Sequence, residues 1–151
     1  MPTGHFDEGE APRIGGRLSI PSLTISGHID FLVDTGADNT VLFIDDGDRL
    51  GLPYNKLPPP TPGARGVGGP AAVSIVEATV SLWDIVQENG IDHFQEYPLS
   101  IRLLIMLHNE DEEKEKAMQG VASLLGRDVL NHWAISYDAP TNVLTFDNFR
   151  A

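Results

Sequence analysis

The chain has 151 residues, enough for one domain with its own core, and 41% of them are hydrophobic, which excludes wholesale disorder. Twenty-two Asp and Glu against ten Lys and Arg give a formal charge of −12, the wrong sign for a nucleic-acid partner. The absence of cysteine excludes disulfide and thiol chemistry, and no apolar run approaches the ~18 residues of a membrane-spanning helix.

Residues 1–16, MPTGHFDEGEAPRIGG, read as a flexible tail rich in Gly, Pro and acid, which leaves residues 17–151 as the folded domain. The tail has no apolar stretch of the signal-peptide kind, so the cytoplasm is the expected compartment. Residues 17–33 read as β-structure. Leu23, Ile25, Ile29, Phe31 and Val33 are spaced for one face, and Ser26-Gly27 marks a hairpin turn. A short helix is expected over Asp45 to Leu52, ending at Gly51. Residues 56–71, KLPPPTPGARGVGGPA, are a Pro/Gly loop. Residues 73–83 and 99–107 read as two long strands joined by a polar connection, 84–98. Residues 108–120 are a charged surface loop or short helix. A turn, a short helix and a strand follow from Leu124, and Thr141-Asn142 breaks the chain before a last strand, Val143 to Phe146. The class is all-β with one or two short helices.

The chemistry concentrates in FLVDTGADNTVL, residues 31–42. A carboxylate placed straight after Phe31-Leu32-Val33 is costly to bury unless its proton is shared or its oxygens are bonded. Gly36 lets the backbone turn tightly and offers an N–H to a neighbouring carboxylate. Thr35 adds a hydroxyl able to bond across to another strand or chain. One acid in an apolar well can activate water. Two facing acids do it better, because like charges a few ångströms apart do not both ionise, so one serves as acid and the other as base. The competing reading is a plain Asp-x-Gly turn after a strand, and the tripeptide by itself does not decide between them.

A second feature does. The run Leu32-Val33-Asp34-Thr35-Gly36-Ala37-Asp38 resembles the active-site strand and loop of the retropepsins, the retroviral-type aspartic proteases. About ninety residues later, Leu124-Leu125-Gly126-Arg127-Asp128 is similar to the family's second signature. Between the two, Gly66-Val67-Gly68-Gly69 falls where the family's flap tip would lie. The resemblance covers roughly residues 17 to 149, and it implies a retropepsin-like closed β-barrel or sandwich, one lobe of the acid-protease fold. The chain carries one Asp-Thr-Gly and no Asp-Ser-Gly, where pepsin-like enzymes carry two copies in a longer chain. A single copy implies a homodimer with Asp34 of each subunit at the twofold axis.

The resemblance also assigns roles. Asp34 is the catalytic acid, Thr35 braces the two loops across the axis, and Gly36 completes the catalytic triplet. Ala37 and Asp38 meet the substrate backbone, and Arg127 supports the loop by pairing with Asp38. Gly66, Val67, Gly68 and Gly69 close over the peptide, and Ala122 and Leu124 line its pockets. Pro70 and the prolines from 58 to 62 depart from the family pattern and imply a shorter or asymmetric flap. In compact members both termini interleave as a dimer sheet, a part suited here to Val143–Phe146. The expected activity is an aspartic endopeptidase on extended peptides, with no cofactor. The rival is a peptide-binding or dimerisation module on the same fold. A third reading is a monomeric precursor that matures by losing the first 16 residues. His5, His28, His93, His108 and His132 are scattered with no i, i+4 pair, so no metal site is expected.

Overall fold

The computed structural model describes residues 1–66 and 69–151, with the backbone alone for 62–71. Its strands are β1 (His5–Phe6), β2 (Pro12–Ile20), β3 (Ile25–Val33), β4 (Val41–Leu42), β5 (Thr61–Gly66), β6 (Gly69–Glu88), β7 (Ile91–Met106), β8 (Leu124–Leu125), β9 (Ala134–Asp138) and β10 (Val143–Asp147). Its helices are α1 (Ile44–Arg49), α2 (Glu112–Met118) and α3 (Arg127–Leu130). Neighbouring strands run β2-β3-β8-β4-β7-β6, and β6 returns to β2 through Arg17↔Ser81, Leu18↔Val80 and Ser19↔Thr79. The sheet therefore closes on itself as a six-stranded barrel, with β1 added beside β2 and β5 beside β6.

Alternation of side chains fills the barrel. Ile14, Leu18 and Ile20 of β2 point inward and are buried, as are Ile29, Phe31 and Val33 of β3. They meet Val76, Ala78, Val80 and Leu82 of β6 and Ile101, Leu103 and Ile105 of β7 in one cluster. Each large side chain removed from water contributes roughly 1.5–3 kcal/mol, so this cluster is the main source of stability. A second cluster, Val41, Phe43, Ile44, Val73, Met106 and Met118, packs beneath α1 and α2.

Three sequence expectations are corrected here. Residues 1–16, read as a tail, contain β1 and the start of β2. Ile14 is buried in the barrel, and a Cβ on Gly16 would come within 2.9 Å of the Phe31 ring, so this glycine is a packing residue. The hairpin turn is not at Ser26-Gly27. It is the 3₁₀ turn Pro21–Leu23 followed by Thr24 at φ 56°, and Gly27 sits inside β3 because the Leu50 side chain occupies the place of its Cβ. The connection 84–98 is not a loop. It is the outer half of a long hairpin in which Glu88 pairs with Ile91 across Asn89-Gly90. Both turn residues have positive φ, 54° and 76°, the type I′ geometry that matches strand twist. Water covers both faces of this arm, leaving Ile85 and Phe94 exposed.

The chain's end is paired on both sides. β10 pairs with β9 along one edge. Along the other, Gly4 N donates to Leu144 O at 2.8 Å and Phe146 N to Pro2 O at 2.9 Å. Both edges of β10 are thus engaged within one chain.

A polar clasp ties α2 to α1. The Nε2 of His108 lies 2.7 Å from Asp48 Oδ1, and its Nδ1 bonds Glu115. Tyr54 donates its hydroxyl to the same Asp48 oxygen at 2.9 Å. The carboxylate bonds to Asp48 and then Glu115 raise the His108 pKa above its ordinary 6.5. The Glu115 pKa is lowered, first by the Asn109 N–H and then by His108. Burial, reinforced by Asp48, pushes the Tyr54 phenol well up.

Candidate active site

The loop Asp34–Thr40 leaves the end of β3 and returns as β4. β8 lies between those two strands, parallel to β3 (Leu32↔Leu124, Val33↔Leu125) and antiparallel to β4 (Val41↔Leu124). The loop must therefore pass over the end of β8. Its first residue is fixed by Asp34 N donating to Leu125 O at 3.0 Å. Ala37 N donates back to Asp34 O at 3.2 Å, which closes a tight turn. Gly36 N donates to Asp34 Oδ1 at 2.9 Å, and a Cβ on Gly36 would stand only 3.2 Å from that oxygen. One carboxylate oxygen is thus held by the backbone, and Asp34 is half-buried beside exposed Thr35 and Gly36.

The loop is braced from behind by the chain that follows β8. Gly126 is buried so close to the loop that a Cβ would lie 2.5 Å from the Asn39 carbonyl carbon and oxygen. Arg127 N donates to Ala37 O at 2.8 Å, and Arg127 Nη1 donates to Thr35 O at 2.7 Å. The same guanidinium bonds Asp38. Both partners of that ion pair are largely exposed, so the pair itself is worth at most about 1 kcal/mol.

The stronger brace was not among the residues singled out from sequence. Thr40 is fully buried. Its N–H donates to Asp128 Oδ2 at 2.9 Å and its hydroxyl to Asp128 Oδ1 at 2.7 Å. The Gly126 N–H donates to the Thr40 hydroxyl oxygen at 3.2 Å. Buried Ser123 acts similarly, accepting from Phe43 N at 2.9 Å and donating to Asp46 Oδ2 at 2.6 Å. Thr40 and Asp128 stand inside the two quoted motifs, so their position was the available signal. Their pairing needed the fold.

Of the other expected site residues, Leu124 is half-buried in β8 and packs against the second cluster. Ala122 is half-buried just ahead of it. Gly66 pairs with Gly69 where β5 meets β6, while Val67 and Gly68 lie outside the described residues. Arg65 pairs with Pro70 and Thr61 with Val73, so the Pro/Gly segment forms a hairpin rather than a free loop. Among the described residues no three His, Asp or Glu side chains gather as a metal site, and no helix is long and apolar enough to cross a membrane.

Residues 21–92 match the aspartyl protease family model. No curated protein matches the chain. Among solved structures, the chain is similar to a retropepsin-like aspartic protease from Rickettsia conorii, at 19% identity and a TM-score of 0.50, over 95% of this chain and 87% of that one. It also aligns with the EIAV protease in complex with the inhibitor HBY-793, at 21% identity and a TM-score of 0.40, over 83% of this chain and 90% of that one. The first likeness carries the fold: an all-β closed barrel with a few short helices. The family match over residues 21–92 and that shared fold both make the chain similar to the retropepsin-like aspartic proteases.

Proposed function

We propose that the chain is an aspartic endopeptidase that works as a homodimer, with Asp34 of each subunit facing across a twofold axis. The observation that carries this reading is the presentation of Asp34. A single half-buried carboxylate is held by the Gly36 N–H at the tip of a loop that Asp128 and Arg127 brace from behind. A rigid support for one acid, in a chain with one Asp-Thr-Gly, suits a site completed by a second copy.

In this reading one Asp34 carboxylate takes a proton from water as the water oxygen attacks the peptide carbonyl carbon. The other, protonated, gives its proton to the carbonyl oxygen. Collapse of the tetrahedral species breaks the C–N bond: the first carboxyl returns its proton to the leaving nitrogen while the second carboxylate takes one from a hydroxyl of the tetrahedral carbon, which restores the pair. Thr35 bonds across the axis to its counterpart. The backbone of Gly36, Ala37 and Asp38 holds the peptide in extended form, and Ala122 and Leu124 line its side-chain pockets. The β5–β6 hairpin, with Gly66 to Gly69 at its end, serves as the lid that excludes water. Residues 2–4 and β10 supply one dimer contact if residues 2–4 leave their own chain's β10 for the partner's, which rebuilds the same hydrogen bonds between subunits.

Cleavage of a mixed peptide library from pH 3 to 8, wild type beside Asp34→Asn, tests the activity. Cuts made by the wild type and lost in the variant are expected. Binding without any cut at any pH would instead favour the peptide-holding module.

A further inference from the structure

A small cleft of about 200 Å³ opens beside the braced loop. Asn39 of the loop forms one side, and Thr61, Val73 and Ile75 at the base of the β5–β6 hairpin form another. Leu104 and Arg102 of β7 complete the lining. The register explains the grouping. Val41 pairs with Leu104, Ile75 also pairs with Leu104, and Arg102 is two residues along the same strand, on the same face. This space is below the roughly 300–1,000 Å³ of a whole-ligand pocket, and it suits one side chain of a longer molecule. Asn39 is five residues from Asp34 in the same loop. A peptide with its scissile bond at Asp34 reaches the cleft within about five extended residues.

The chemistry of the cleft is an apolar wall with one cation. Arg13, Arg17, Arg49 and Arg127 each lie within 4.0 Å of a carboxylate. Among the described residues no carboxylate comes that close to Arg102. Glu77 stands directly opposite Arg102 in the β6–β7 ladder, on the same face, with its carboxylate beyond that distance. On a molecule of charge −12, Arg102 is, among the described residues, the one charged side chain that lines this cleft. Its planar fork matches a carboxylate better than any other acceptor a peptide side chain offers.

We infer that Arg102, with Asn39 and Thr61 as polar neighbours, is a specificity residue that favours an acidic side chain of the peptide a few residues from the cut. The inference rests on the reading of the Asp34 loop as the peptide site. Arg102 is exposed, so the preference is modest, about three- to tenfold over the uncharged amide.

The test is a positional-scanning peptide library with two apolar central residues, in which one outer position at a time is fixed as Asp, Glu, Asn, Gln or Lys. Cleavage is read with the wild type, and equilibrium binding is read by fluorescence anisotropy with the full-length Asp34→Asn protein, near pH 6, where free Asp and Glu side chains are ionised. One outer position is expected to favour Asp or Glu, and high salt reduces that preference. Arg102→Gln flattens it, and Arg102→Glu turns it toward Lys. Circular dichroism on both variants ensures that folded proteins are compared. A flat profile, a preference unchanged in Arg102→Gln, or no peptide binding at all overturns the inference. Cleavage with a flat profile overturns it while leaving the proposed activity standing. Acid-selective binding without cleavage does the reverse.

Discussion

The loop at Asp34–Thr40 and the turn at Asn89-Gly90 both reverse the chain, and both depend on glycine, yet they are held by opposite means. The turn is local. Its two residues take positive φ, the strands on either side pair through to Glu88 and Ile91, and a Cβ on Gly90 would meet nothing within 4 Å. The loop is held from a distance. Its glycine partner, Gly126, has an ordinary φ and is required only because the loop backbone lies against it. The lesson is that the acid-bearing loop spends buried polar bonds on rigidity, while the outer arm needs only ladder and turn. A site that presents a carboxylate at fixed geometry calls for the first arrangement.

Substitutions separate the two arrangements, from the largest expected effect down. Gly126→Ala places a methyl against the Asn39 backbone, which has no flexible end to move aside. A loss of about 3 kcal/mol in chemical denaturation is expected, with peptide cleavage lost as the loop shifts. Asp128→Ala leaves the buried Thr40 N–H and hydroxyl without their acceptor. It is expected to cost about 2–3 kcal/mol, more than Arg127→Ala, whose side-chain contacts are exposed. The reverse order in denaturant midpoints would mean that Arg127 is the principal brace. At the other region, Gly90→Ala meets no neighbour and pays only for a left-handed residue, about 1 kcal/mol by thermal melting, with cleavage retained.

The smallest effect is at the His108 clasp. The raised His108 pKa means that its contribution is full below pH 6.5 and is lost as pH rises through the higher folded value. The lowered Glu115 pKa means that its part is present above 4.5 and is lost as pH falls through the lower folded value. Melting temperatures of wild type and His108→Gln are expected to differ between those limits and to converge on the alkaline side. A gap that widens with rising pH would show that His108 is not the cation in the clasp.

Legibility in the sequence followed the range of the interaction. Asp34-Thr35-Gly36 and Gly126-Arg127-Asp128 were visible because each motif is a run of neighbours. The Asn142 break before β10 and the helix ending at Gly51 were visible for the same reason: Asn142 has φ 55° and Gly51 φ 73°. Gly16, read as tail, and Gly27, read as a turn, were misread because only distant side chains, Phe31 and Leu50, reveal them as packing positions. Thr24, the residue that does turn at φ 56°, is a threonine and carries no turn signal. The outer hairpin was missed because water on both faces removes the alternation that marks a half-buried strand, and its Asn-Gly turn was the only remaining cue. The Thr40–Asp128 bond joins residues 88 apart, a separation that no local pattern exposes.

The central claim is that one site needs two Asp34 residues from two chains. The direct measurement is to unfold and refold wild type together with Asp34→Asn in varying ratio and to follow cleavage of a library-derived peptide. Homodimers that each require both acids predict activity falling as the square of the wild-type fraction, so that an equal mixture keeps about one quarter of the activity of the same total of wild type. A linear fall, with about one half kept at equal mixing, would mean that each chain acts alone and would contradict the account.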